Sequence, residues 1–175
     1  KAKASIINGA NITAGSIKVA ALTSTPSAKA KSLGAAGALV GLTATVSTAE
    51  NKAETLANVT GSTLKATGLV NVDATSSTLQ NADASGLALG FVAAGFNDST
   101  AKSNTKTQAT LTGLTSLKAG SLTVNANGTD DNTAVVVAGS GGLVAGSAAS
   151  GTTRADSNTK AAIDGTFTAD ITGGD

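Results

Sequence analysis

The sequence predicts an all-β chain, a parallel β-solenoid (β-helix) built from 52-residue tandem repeats. Three observations carry that prediction. First, an aliphatic residue, any residue and a glycine recur as Ile7-Asn8-Gly9, Val59-Thr60-Gly61, Leu111-Thr112-Gly113 and Ile163-Asp164-Gly165, each 52 positions after the last. A fixed period of this kind is the mark of a stacked-repeat architecture. Second, apolar and polar residues alternate over short runs, as in Ile17-Lys18-Val19 and Val70-Asn71-Val72. Period two with Val and Thr signals strands with one buried face. Third, aromatics make up 2% of the chain, 3 Phe with no Trp or Tyr. A narrow interior filled by small side chains favours such a composition, because large rings would overpack it.

Along each unit the elements follow in order. After the repeat glycine comes a large apolar residue, a spacer and Ala: Ile12/Ala14, Leu64/Ala66, Leu117/Ala119 and Phe167/Ala169. Next stands an alternating triplet, Ile17/Val19/Ala21, Val70/Val72/Ala74 and Leu122/Val124/Ala126. A short apolar run then ends in Gly41, Gly95 and Gly146, and Lys52, Lys106 and Lys160 precede the next mark. The tetrapeptide Ser-Asn-Thr-Lys, at 103–106 and again at 157–160, reads as the polar connector between units. The Ala-rich piece Ala28–Ala38 is not expected to be helical, since Gly34 and Gly37 would each cost a helix about 1 kcal/mol. Stacked coils would hydrogen-bond at about 4.8 Å spacing, with Ala, Val, Leu and Ile laddered inside and Thr, Ser, Asn and Lys outside. A 52-residue unit is long for one coil, so two or three coils per unit are expected.

The remaining composition excludes chemistry. With no His and no Cys there is no Ser-His-Asp triad, no thiol nucleophile, no imidazole or thiolate metal site and no disulfide framework. A net charge of +1 from 12 basic and 11 acidic residues supplies no drive toward nucleic acid. The apolar stretches 35–46 and 86–96 are shorter than the ~20 residues of a spanning helix, and Gly and Ser interrupt 135–151. No membrane-spanning segment and no cofactor are expected. The opening KAKASIINGA has no signal-peptide hydrophobic region. The chain starts and stops inside a unit with no capping segment, so the expectation is one segment, residues 1–175, of a longer array or a copy that stacks end to end.

Few residues offer themselves as sites. Asp130 and Asp131, in Asn127-Gly128-Thr129-Asp130-Asp131-Asn132, are weak candidates for a calcium ion through carboxylate oxygens. A polar turn between strands is the plainer expectation there. Asn11, Asn58, Asn97 and Asn127 head N-glycosylation patterns that an Asn- and Thr-rich composition produces by itself. Gly139-Ser140-Gly141-Gly142 lacks the Lys-Ser/Thr of a phosphate loop and reads as a strand corner. Thr43-Ala44-Thr45 and Thr110-Leu111-Thr112 do not extend to the flat outward Thr array that ice binding needs.

The run Asn158-Thr159-Lys160-Ala161-Ala162-Ile163-Asp164-Gly165, followed by Phe167-Thr168-Ala169 and echoed by Gly141-Gly142-Leu143-Val144-Ala145-Gly146, resembles the repeat of bacterial filamentous haemagglutinin-like adhesins, particularly the leukotoxin-type ones. Ala53–Gly61 departs most from that pattern. The resemblance implies a large exoprotein secreted across an outer membrane, an extracellular fibre at the bacterial cell surface, and a role in adhesion, cell-cell contact or matrix building. It implies no catalytic residues. The partners expected are neighbouring repeats or end-to-end copies, and a host or neighbouring-cell surface. Two other functions compete: a self-polymerising fibre or sheath subunit complete at 175 residues, and a carbohydrate-processing β-helix enzyme. The enzyme would need clustered carboxylates or basic residues in a groove, and the 11 acidic residues are scattered.

Overall fold

The computed structural model describes residues 1–173 and contains strands but, among them, no helix. The strands are β1 (Ala2–Ile6), β2 (Asn11–Ala14), β3 (Ile17–Asn51), β4 (Glu54–Thr60), β5 (Thr63–Ala66), β6 (Leu69–Ser103), β7 (Lys106–Thr112), β8 (Ser116–Ala119), β9 (Ser121–Gly141), β10 (Val144–Ala155), β11 (Asn158–Asp164) and β12 (Thr168–Ile171). They form three sheets in the orders β1-β4-β7-β11, β2-β5-β8-β12 and β3-β6-β9/β10. Every pairing is parallel. The fold is thus all-β with parallel sheets, an arrangement compatible with a β-helix.

The register sets partners 52 or 53 positions apart, as in Leu69↔Ser121, Val144↔Val92 and Ile17↔Val70. One pass of the chain (β1–β3, then β4–β6, then β7–β10) therefore lays down one layer of all three sheets. This is at odds with two or three coils per 52 residues. The 35-residue strands β3 and β6 bend on themselves instead, which takes up the length that extra coils were expected to use.

The cross-section of a pass has two parts. In the first, a lobe, three walls enclose a core of Val59, Leu64, Val70, Val72, Leu111 and Leu117, all fully buried, with Ile6, Ile12 and Phe167 packed against it. Branched side chains ladder through this lobe, since Ile17, Val70 and Leu122 share one register position and Val19, Val72 and Val124 another. In the second part, an arm, the chain runs out through 79–89, turns, and returns through 95–103. The returning layer lies against the outgoing one: the Asn97 amide donates to the carbonyl oxygens of Gly86 (3.5 Å) and Val137 (2.6 Å). Ala82 and Ala101 are buried together between the layers, with Ala28, Ala30 and Ala134 against them.

The repeat glycines hold a corner. Gly9, Gly61, Gly113 and Gly165 all have positive φ, at 80°, 58°, 57° and 103°, and each stands between the first and second strands of its pass. The left-handed region penalises a side chain with Cβ, so glycine at 52-residue intervals follows from the corner. Of their aliphatic companions, Val59, Leu111 and Ile163 pair in one column. Ile7 does not: Ile6 pairs with Val59, and Ile7 is 68% exposed. One extra residue in the first corner displaces it, which is why the pairing offset falls from 53 in β1 to 52 in β2.

Other marks shift as well. Leu117 pairs with Ala169 and Ala119 with Ile171, not with Phe167 and Ala169. A two-residue slip keeps the same strand face, so period-two alternation alone does not reveal it. Gly41 lies opposite Ala93, and Gly95 opposite Thr43 and Ser147. Lys106 lies opposite Glu54 and Asn158, while Lys160 lies opposite Gln108. The two Ser-Asn-Thr-Lys segments are therefore two residues out of register.

Candidate interaction surface

Chemistry at this surface follows from the width of the arm. Two layers packed back to back leave little room for large side chains. Ala82, Ala84, Ala88, Ala93 and Ala101 fill part of that interior. The rest is polar: Gln80, Asn97, Ser99 and Ser103 are fully buried. This departs from the expectation of an aliphatic interior with Ser, Thr and Asn outside. Asn97 offsets its burial by accepting from the Thr45 hydroxyl at 2.6 Å in addition to its two donated bonds. Gln80 does not, as neither amide atom has a partner among the described residues.

The larger apolar residues of the same segments point out. At the tip, Leu39, Phe91 and Leu143 follow one another at 52-residue spacing, exposed by 79%, 57% and 76%. Val40, Val92 and Val144 pair beside them. The turn that displays them depends on glycine: a Cβ at Gly142 would collide with the Gly90 carbonyl oxygen, and one at Gly90 with that of Ala38. Such close approach of backbone to backbone admits no other residue. On the outgoing flank stand Leu33, Leu87, Leu89, Val135 and Val137; on the returning flank Leu42, Ala44, Ala94 and Phe96 line a shallow groove of about 370 Å³. No ionisable residue occurs in 32–49, 84–97 or 132–153. Scattered exposed apolar residues are ordinary, but a contiguous field of them marks contact surfaces.

Charges gather elsewhere. Glu50, Lys102 and Arg154 share one column near the base of the arm, with Lys102 3.6 Å from Glu50 and 3.9 Å from Asp156. A hydrogen bond and ion pair with Asp156 raise the Arg154 guanidinium above its ordinary value. On the first sheet, a hydrogen bond from Lys1 holds the Glu54 carboxyl below the usual carboxylate range. Both pairs lie at the surface, where they contribute little to stability.

Asp130 and Asp131 do not converge on an ion. Strand alternation sends them to opposite faces: Asp130 is half-buried and accepts from the Thr78 and Thr105 hydroxyls, and Asp131 is exposed. Residues 127–132 also lie inside β9 and form no turn. Among the described residues no group of three acidic side chains comes together. Asn97 is buried and hydrogen-bonded, so it is closed to glycosylation, and Thr45 points inward rather than into an outward Thr array. The corner expected at 139–142 falls at its end, at Gly142-Leu143, between β9 and β10. No helix of the described residues is long and apolar enough to cross a membrane.

Sequence reasoning missed the arm's outer surface because its apolar residues were assigned to the interior. The signal was present in Leu39, Phe91 and Leu143, whose 52-residue spacing falls outside the alternating triplets. No family model, no curated protein and no solved structure matches the chain.

Proposed function

We propose that this chain is a segment of a parallel β-solenoid made of 52-residue units, serving as the structural shaft of an extracellular bacterial filament or large exoprotein. One observation supports the reading: strand partners in all three sheets lie 52 or 53 positions apart, the spacing expected if each unit adds one layer. A parallel stack of this kind has no built-in limit, because each layer presents the backbone template for the next. The resemblance to filamentous haemagglutinin-like repeats supports the cell-surface setting. The apolar arm tip supplies a continuous line along the shaft with which adhesion, cell-cell contact or matrix assembly would be made.

The test is a change of length. Duplicating residues 54–105 in tandem should lengthen the particle by about 4.8 Å per added unit, measured by small-angle scattering. Negative-stain images of chains with many added units should show straight rods of constant width. Growth by two or three layers per unit, or compact particles, would sink the proposal.

A further inference from the structure

The arm is apolar on both flanks and round its tip, and that two-sidedness points to one kind of occupant. Phe91 and Val92 stand exposed at the turn of the second pass, with Leu39 and Val40 in the pass before and Leu143 and Val144 in the pass after. Behind the turn, the outward columns through Leu87 and Leu89 contain only Ala, Leu and Gly. On the returning flank, those through Ala94 and Phe96 contain only Leu, Ala, Gly and Phe. Two of the 3 Phe of the chain, Phe91 and Phe96, thus stand in this zone. The first outward polar side chains of the second pass are Ser85 on one flank and Asp98 on the other. Each is six positions from the turn, about 20 Å along a strand. The charges beyond are of both signs, and Asp83 is already held by Lys31 at 3.8 Å.

We propose that the arm tip is a wedge that enters the interface of a lipid bilayer. A protein partner would cover one flank, leave the other in water, and have to match the charges below. A fluid apolar medium covers both flanks at once and needs no register. Interfacial segments sink about 5–10 Å into the boundary between headgroups and acyl chains, the length of two or three strand residues. That depth takes in the turn and the first outward columns behind it, and it stops short of every ionisable side chain of the arm. The free backbone edges of the first and third passes still meet headgroups and water there, so none has to cross the hydrocarbon core. The turn is already fixed by the close approach of Gly90 to Ala38 and of Gly142 to Gly90, which leaves little to be ordered on insertion. With a net charge of +1 and mixed signs at the base of the arm, an electrically neutral lipid suffices. The inference names a partner for the apolar line of the filament reading but rests on the arm alone, so compact particles in the length test would leave it standing.

Co-sedimentation of the chain with large unilamellar phosphatidylcholine vesicles tests it. Binding is expected at millimolar lipid and should survive about 0.5 M salt, since no charge pairing contributes. Phe91→Asp and Leu143→Asp should each weaken it by about tenfold or more. The β-sheet circular dichroism should not change, because both side chains already face solvent. Leu33→Asp, about 20 Å back from the turn, should alter binding by less than about twofold. The chain has no Trp, so Phe91→Trp places a single fluorophore at the tip. That variant should bind as the parent does, with its emission shifted to the blue and quenched by lipids brominated on the acyl chain. Failure to co-sediment at millimolar lipid overturns the proposal. So does binding that salt abolishes, or that Phe91→Asp and Leu143→Asp leave intact. Self-association without lipid that Phe91→Asp abolishes, read by sedimentation velocity, overturns it in favour of a second copy.

Discussion

The lobe and the arm are made from the same chain by the same alternation, yet they turn it inside out. In the lobe, Val59, Leu64, Val72 and Leu117 are buried and Lys65, Lys118 and Asn71 lie on the outside or half-covered. In the arm, Gln80, Asn97 and Ser99 are buried while Leu87, Leu89, Phe91 and Phe96 face out. The difference is one of width. Three walls leave space at their centre for branched side chains, whose burial contributes about 1.5–3 kcal/mol each. Two walls in contact leave little: the largest side chains fully buried in the arm are Gln80, at its base, and Asn97. A Cβ on Gly86 would meet the Asn97 side chain, and one on Gly34 the methyls of Thr43 and Thr45. Such an interior selects for size before polarity, and it accepts Ser or Asn where a hydrogen bond can be found. The lesson is that burial in a layered fold follows the local thickness of the cross-section as well as hydrophobicity.

Truncating one residue in each region puts this contrast to its strongest test. Leu111→Ala in the lobe should cost about 2–5 kcal/mol, the usual loss for a buried leucine. Leu143→Ala at the arm tip should change stability by no more than about 0.5 kcal/mol. Urea denaturation of the two variants measures both; equal losses would mean that the tip is as packed as the lobe. A smaller effect of opposite sign should come from Gln80→Leu. Both amide atoms of Gln80 are buried without a partner among the described residues, and replacing an unsatisfied polar group by an apolar one of similar volume is neutral or stabilising by about 1 kcal/mol. A drop in the denaturation midpoint would show that the arm interior needs the amide.

The smallest effect concerns the charged surface. The Glu54 carboxyl is held below its ordinary pKa by Lys1, so it binds its proton less readily folded than unfolded. Its contribution is present above the unfolded carboxylate pKa and is lost as pH falls through the lower, folded value. Because the pair is exposed, Glu54→Gln should leave stability at neutral pH almost unchanged and flatten the acid limb slightly. Thermal melts of both proteins between neutral and acid pH check this, and a large loss at neutral pH would contradict it.

Much of the fold is legible in the order of the residues. Gly61, Gly113 and Gly165 announce the corner because a left-handed backbone leaves glycine as the only comfortable residue, and Val70/Val72/Ala74 announces a strand because pleating puts alternate residues on one face. The triplets pair as their alignment predicts. Identity of letters is a poorer guide: Ser-Asn-Thr-Lys recurs out of register, since exposed polar connectors are free to slide. Ile7 misleads because a corner can absorb one residue without disturbing the strands beyond it. Asp130 and Asp131 look like a pair in one dimension and are divided by the pleat in three.

Sequence alone dictates that the chain is β, that Gly9, Gly61, Gly113 and Gly165 stand 52 residues apart where its corners need glycine, and that it lacks the thiol and imidazole groups of many reactive sites. Those properties are local, set by side-chain size, backbone strain and composition. It takes the packed layers to establish that one pass makes one layer, that the arm narrows towards its tip and turns its leucines outward, and that an apolar line therefore runs along its outside. The reason is that thickness belongs to two layers at once. A strand's alternation says which residues share a face, but what lies across from that face determines whether it is buried.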